Sequence, residues 1–140
     1  MTTANMTDKK DVPSAAGGAP NVTATIANQT PYTFTYSTQK LTSGTVTINA
    51  KTIDASSSAQ AFFAMASPGT ATGCEGTVTY SFTDQNGTTQ NISFFYEDPY
   101  ANPNKFSVTA PAGISSKNNG PANGFQVAVT YTISGSVTAS

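Results

Sequence analysis

The chain has no histidine, no arginine and no tryptophan. Without histidine it lacks the commonest general base, proton shuttle and metal ligand. A serine nucleophile would have nothing of that kind to activate it, and no G-x-S-x-G motif is present. One cysteine, Cys74, excludes an intramolecular disulfide and any cysteine-cluster metal site. It reads as a small, partly buried hydrophobe. Charge is also scarce: Asp, Glu, Lys and Arg make up 9% of the residues, against about 25% in ordinary globular proteins. The six lysines (Lys9, Lys10, Lys40, Lys51, Lys105 and Lys117) are scattered. A groove that tracks phosphates needs clustered cations, so nucleic acid is not expected as a partner. No segment approaches the roughly 20 apolar residues of a membrane-spanning helix. The N-terminus lacks the apolar core of a secretory leader, so the protein is expected either to be made in the cytoplasm of the producing cell and then released or deposited, or to have a leader outside this sequence.

What is abundant is threonine, serine, asparagine and β-strand patterning. A length of 140 residues suits one domain with its own core. Residues 1–20 are rich in Thr, Ala, Gly and Pro without hydrophobic period, and read as a flexible tail. The domain is expected over 21–140. Val22, Ala24 and Ile26 alternate with threonines, as do Tyr32, Phe34 and Tyr36. The turn signal Asn28-Gln29-Thr30-Pro31 between them predicts a hairpin of 22–27 with 32–37. Val46 and Ile48 mark a third strand. The run Ala61-Phe62-Phe63-Ala64-Met65 is too short for a secure helix and fits a strand buried on both faces. Val78, Tyr80 and Phe82 pair with Ile92, Phe94 and Tyr96 across Gln85-Asn86-Gly87, the strongest turn signal in the chain. Phe106 to Ala110 forms another short strand, and 114–124 reads as a long loop. Phe125, Val127, Val129, Tyr131 and Ile133 give the cleanest alternation. Seven or eight short strands and no helical period predict an all-β fold, a single antiparallel β-sandwich.

The stretch from Gly73 to Lys105 gathers the candidate chemistry. Glu75, Asp84, Glu97 and Asp98 could serve as paired carboxylates if they met in space. Asp84, Asn86, Glu97 and Asp98 could hold a hard cation, though without EF-hand spacing. Acidic residues before Pro99 more commonly cap turns. Phe94, Phe95, Tyr96 and Tyr100 crowd seven residues. A tyrosine beside carboxylates suits a lipid headgroup or a sugar face, and a buried tyrosine is the alternative. Four N-x-S/T triplets, at Asn21, Asn28, Asn86 and Asn91, read as chance products of the composition.

Gly73-Cys74-Glu75-Gly76-Thr77, then Tyr80-Ser81, Ile92-Ser93, Phe95-Tyr96-Glu97-Asp98-Pro99-Tyr100-Ala101 and Asn104-Lys105 resemble the aegerolysin family. Within it they are most like the small component of bacterial two-part insecticidal toxins. Asn28-Gln29-Thr30, Tyr32-Thr33-Phe34 and Val129 to Ile133 fit the same pattern, so the resemblance spans about Asn21 to Ser134. It implies an aegerolysin-like β-sandwich that is not an enzyme and needs no cofactor or metal. It implies binding to a sphingolipid of a target-cell membrane and recruitment of a larger partner, a perforin-like pore former or a trefoil-bearing toxin. Glu75 takes the place of the acidic residue of the family's E-G-T motif. Tyr96, Glu97 and Tyr100 take its headgroup-site positions, and Asp98 and Lys105 complete the candidate set. Fungal members carry several tryptophans at the membrane-facing end, where this chain has tyrosine. Self-association is compatible with the near-neutral charge. The competing reading is a carbohydrate-binding or adhesin-like sandwich that uses the same tyrosines as sugar platforms.

Overall fold

A computed structural model describes residues 19–69 and 72–139. The expected tail, 1–20, lies outside the described residues except for Ala19 and Pro20. Ten strands follow one another: β1 (Asn21–Asn28), β2 (Phe34–Ser43), β3 (Thr45–Ile48), β4 (Thr52–Ile53), β5 (Ser57–Met65), β6 (Cys74–Thr83), β7 (Thr89–Asp98), β8 (Lys105–Thr109), β9 (Ile114–Asn118) and β10 (Gln126–Gly135). They form two five-stranded sheets, β3-β5-β1-β10-β9 and β4-β2-β6-β7-β8. The all-β sandwich predicted from the alternating pattern is what forms.

Alternation works because successive side chains on a strand point to opposite faces. Val22, Ala24 and Ile26 of β1 and Val127, Val129, Tyr131 and Ile133 of β10 point inward from the first sheet. Phe34 of β2, Val78, Tyr80 and Phe82 of β6, and Ile92, Phe94 and Tyr96 of β7 meet them from the second. Each such buried large side chain contributes about 1.5–3 kcal/mol. Two buried tyrosine hydroxyls find carbonyls: Tyr131 donates to Phe95 O at 2.7 Å and Tyr80 to Ala50 O at 2.6 Å. Burial pushes the Tyr80 hydroxyl up to about 12.

Two expectations require correction. The segments 22–27 and 32–37 are not a hairpin: β1 pairs with β5 and β10, while β2 lies in the other sheet against β4 and β6. The 28–33 turn instead carries the chain from one sheet to the other. Asn28 is buried there, and its amide donates to Tyr32 O, Ile53 O and Asp54 O. The segment 114–124 is not all loop, because β9 edges the first sheet. The sandwich is antiparallel as expected save for one pair: β1 and β10, the first and last strands, run parallel at the centre of their sheet.

The run 61–65 is a strand, as expected. Ala61 and Phe62 are both buried because the register against β1 slips there, between Ala24 and Thr25. A slip of this kind is a bulge and turns two successive side chains the same way. The chain steps from the second sheet back to the first at Gly44, whose φ is +79°. A Cβ there would lie 2.3 Å from the Met65 carbonyl oxygen, so only glycine fits.

Candidate functional site

The strands set two opposite ends. β6 starts and β7 stops at the Glu75 end, and their connecting turn forms the Asp84 end. The register places Glu75 opposite Glu97, and Glu97 opposite Lys105. Ser43 of β2 stands on the other side of Glu75. A single row, Ser43–Glu75–Glu97–Lys105, therefore crosses the outer face of the second sheet. Neighbouring strands lie about 4.8 Å apart, and like charges directly opposite repel. Partial desolvation, and then the Glu97 charge, hold the Glu75 carboxyl above its usual range, with Lys105 pulling the other way. The row can accept hydrogen bonds from an amine or amide at its acidic half and offer an ammonium to an anion at Lys105.

Tyr96 and Asp98 do not join this row. They fall on the inward face of β7, where both are fully buried. The Tyr96 ring packs 5.6 Å from Phe62, and its hydroxyl has no hydrogen-bond partner. Burial raises its ionisation well above the usual phenol value, and Cys74 and Glu75 add to that. Gly76 stands opposite Tyr96 in the register. A Cβ on Gly76 would meet the Tyr96 hydroxyl at 2.8 Å and the Lys40 carbonyl oxygen at 2.9 Å. The glycine of the E-G-T motif is thus a packing requirement, and the glutamate beside it is the surface group.

Tyr100 is half-buried, with its ring 5.1 Å from Phe125. Asn104 fixes this arrangement from beneath. Its amide donates to Pro121 O at 3.1 Å and Gly124 O at 3.2 Å, and its backbone N–H bonds Ala122 O at 2.8 Å. Asn104 and the Tyr100–Phe125 contact tie the 99–104 and 119–125 loops together. The role of Asn104 escaped sequence reasoning, because the N-K dipeptide shows no periodicity or turn signature. Two further residues were missed. Leu41 and Met65, 37% and 43% exposed, are the exposed large hydrophobic side chains among the described residues. Both lie at the Glu75 end.

Asp84 is remote from the other carboxylates, since ten residues of β6 at about 3.4 Å each span roughly 30 Å. Its carboxylate accepts the backbone N–H groups of Asn86 and Thr88 and the side-chain amide of Gln90. Those bonds hold it below the usual carboxylate range. It closes the β6–β7 turn and cannot pair with Glu75, Glu97 or Asp98. No group of three metal-ligating acidic or cysteine side chains occurs among the described residues. An open depression of about 450 Å³ lies here, lined by Pro31, Tyr32, Thr83, Asp84, Gln85 and Ser136. Its polar groups are spent on the fold: Tyr32 donates to Gln85 and accepts the Val137 N–H, and Gln85 donates to Val137 O. This cavity therefore lies away from the charged row and has little chemistry to offer.

No family model matches the sequence, and no curated protein matches it. Solved structures do. The RahU protein, solved with a Tris molecule, superposes with a TM-score of 0.58 at 19% identity, covering 86% of this chain and 98% of its own. Nakanori, a lipid-binding protein, gives a TM-score of 0.64 at 18% identity, covering 90% of this chain and 77% of its own. IP-1A from Alcaligenes faecalis gives 0.58 at 16% identity, covering 87% and 93%. The chain has the aegerolysin-like β-sandwich fold.

Proposed function

We propose that this protein is a non-enzymatic lipid-recognition module whose headgroup site is the Glu75–Glu97–Lys105 row with Tyr100 beside it. The observation that carries the reading is the register itself, which brings two carboxylates and an ammonium from three strands into one line. A zwitterionic headgroup has the complementary pattern: its amine or amide meets the carboxylates and its phosphate meets Lys105. Nakanori, similar in fold, is described as lipid-binding, which supports the same reading. The lipid class we propose is a sphingolipid of a target-cell membrane. The larger role is the binding half of a two-part pore-forming, insecticidal toxin, which delivers a perforin-like or trefoil-bearing partner. Several copies on one membrane would convert weak single contacts into firm attachment.

The test is co-sedimentation with vesicles containing sphingomyelin or ceramide phosphoethanolamine, beside vesicles of phosphatidylcholine alone. Wild-type protein should bind the sphingolipid vesicles. Glu75→Gln and Tyr100→Ala should each weaken binding by about tenfold, as expected for one charge-assisted hydrogen bond or one interfacial ring. Wild-type-like binding by both variants would remove the site assignment. Glycan-array binding without vesicle binding would replace the lipid reading with the carbohydrate one.

A further inference from the structure

The two ends of the sandwich differ in charge. At the Glu75 end the connections among the described residues are Gly44, 66–69 with 72–73, and the 99–104 and 119–125 loops, and none of these residues is charged. They contain Pro68, Pro99, Pro103 and Pro121, which lack backbone N–H donors and stiffen the chain. At the Asp84 end the connections carry Lys51, Asp54 and Asp84. Among the described residues, the surface charges nearest the uncharged tip are Glu75, Glu97 and Lys105, which sit on the strands behind it.

Leu41 and Met65 lie on this uncharged end, on either side of Gly44. Leu41 precedes Gly44 by three residues, and its Cδ2 would lie 3.0 Å from a Cβ placed on Gly76. Met65 pairs with Thr45 in the register, and its carbonyl lies against Gly44. Both side chains remain more than a third exposed.

We propose that Leu41 and Met65 form an apolar corner that enters the acyl region of a lipid bilayer. The proposal rests on the lipid reading above and adds a second contact of different chemistry. Charged groups are costly in hydrocarbon and tolerable at headgroup depth. A charge-free, proline-stiffened tip with a charged row one step behind it matches that gradient. The row meets headgroups, Lys105 extends to the phosphates, and the corner lies deeper.

The absence of tryptophan supplies the test. Leu41→Trp introduces the sole indole of the protein, and Thr88→Trp places one at the opposite end as a control. With sphingolipid vesicles, Leu41→Trp emission should shift to the blue and be quenched by bromines on the acyl chains, and Thr88→Trp emission should do neither. The double variant Leu41→Ser/Met65→Ser should keep the wild-type melting temperature. Its partitioning should fall by roughly tenfold to a hundredfold, as loss of two apolar anchors predicts. That loss should persist at about 1 M salt, where screened headgroup contacts fade. Emission of vesicle-bound Leu41→Trp that is neither shifted nor quenched, or partitioning of the double variant within twofold of wild type, overturns the apolar corner and leaves the headgroup site standing. Wild-type protein that sediments with no vesicle overturns both.

Discussion

Single residues here separate into those that hold the fold and those that face the solvent, often side by side. Tyr96 and Glu97 are neighbours in one motif, yet one is fully buried and the other lies on the outer face. The motif was legible in the sequence. Which half of it is surface depended on the phase of β7, which both faces of the strand being apolar had obscured. The Tyr96 hydroxyl is buried without a partner, and an unmade bond in the interior costs about 1–3 kcal/mol. Tyr96→Phe should therefore raise stability by roughly 1 kcal/mol in urea denaturation and leave vesicle binding unchanged. A loss of binding on that change would return Tyr96 to the headgroup site. Gly76→Ala should act in the opposite direction. Its Cβ would press on the Lys40 backbone and the Tyr96 hydroxyl, for a loss of about 1–3 kcal/mol.

Among elements, the β6–β7 hairpin was the most readable and the β1–β2 connection the least. Gln85-Asn86-Gly87 and the two alternating runs identified the hairpin, and Thr83 pairs with Thr89 across it. Asn28-Gln29-Thr30-Pro31 was an equally good turn signal. A turn signal reports that the chain bends, and a period of two reports that one face is buried. Neither says whether the next strand returns to the same sheet or crosses to the other. The β9 strand was hidden for another reason. Its sequence, ISSKN, has one apolar residue, because an edge strand needs little burial. The hairpin also carries opposite pH responses at its two ends. Glu75 binds its proton more tightly in the folded chain than in the unfolded one. Stability linked to it therefore falls as pH rises from the ordinary glutamate value through the raised one. Asp84 is the reverse: its stabilising effect is present above the ordinary aspartate value and is lost as pH falls through its depressed one. In melting curves from about pH 3 to pH 8, Glu75→Gln should flatten the first slope and raise the melting temperature at neutral pH. Asp84→Asn should flatten the second and lower it. If Glu75→Gln lowers the neutral-pH melting temperature, partial desolvation and the Glu97 charge are not what lift the Glu75 carboxyl.

At the scale of the molecule, fold class followed from composition and alternation, and topology did not. Nothing in Val22 to Ala27 or in Val127 to Ile133 announces that the first and last strands are partners. Their registers, Asn21 with Gln126 through Asn28 with Ile133, join the two extremes of the described chain. They also run the same way, so β1 begins at the Glu75 end and β10 finishes at the Asp84 end. Traction between the N- and C-termini would therefore pull these two strands lengthwise past each other. The ladder between them would be sheared as a set, where a hairpin would unzip one bond at a time. With the Glu75 end held on a surface and a load on the C-terminus, the sandwich behaves as a mechanical clamp. In single-molecule force spectroscopy, terminal pulling should give one high-force rupture, and pulling from Thr88 and the N-terminus should give a lower one.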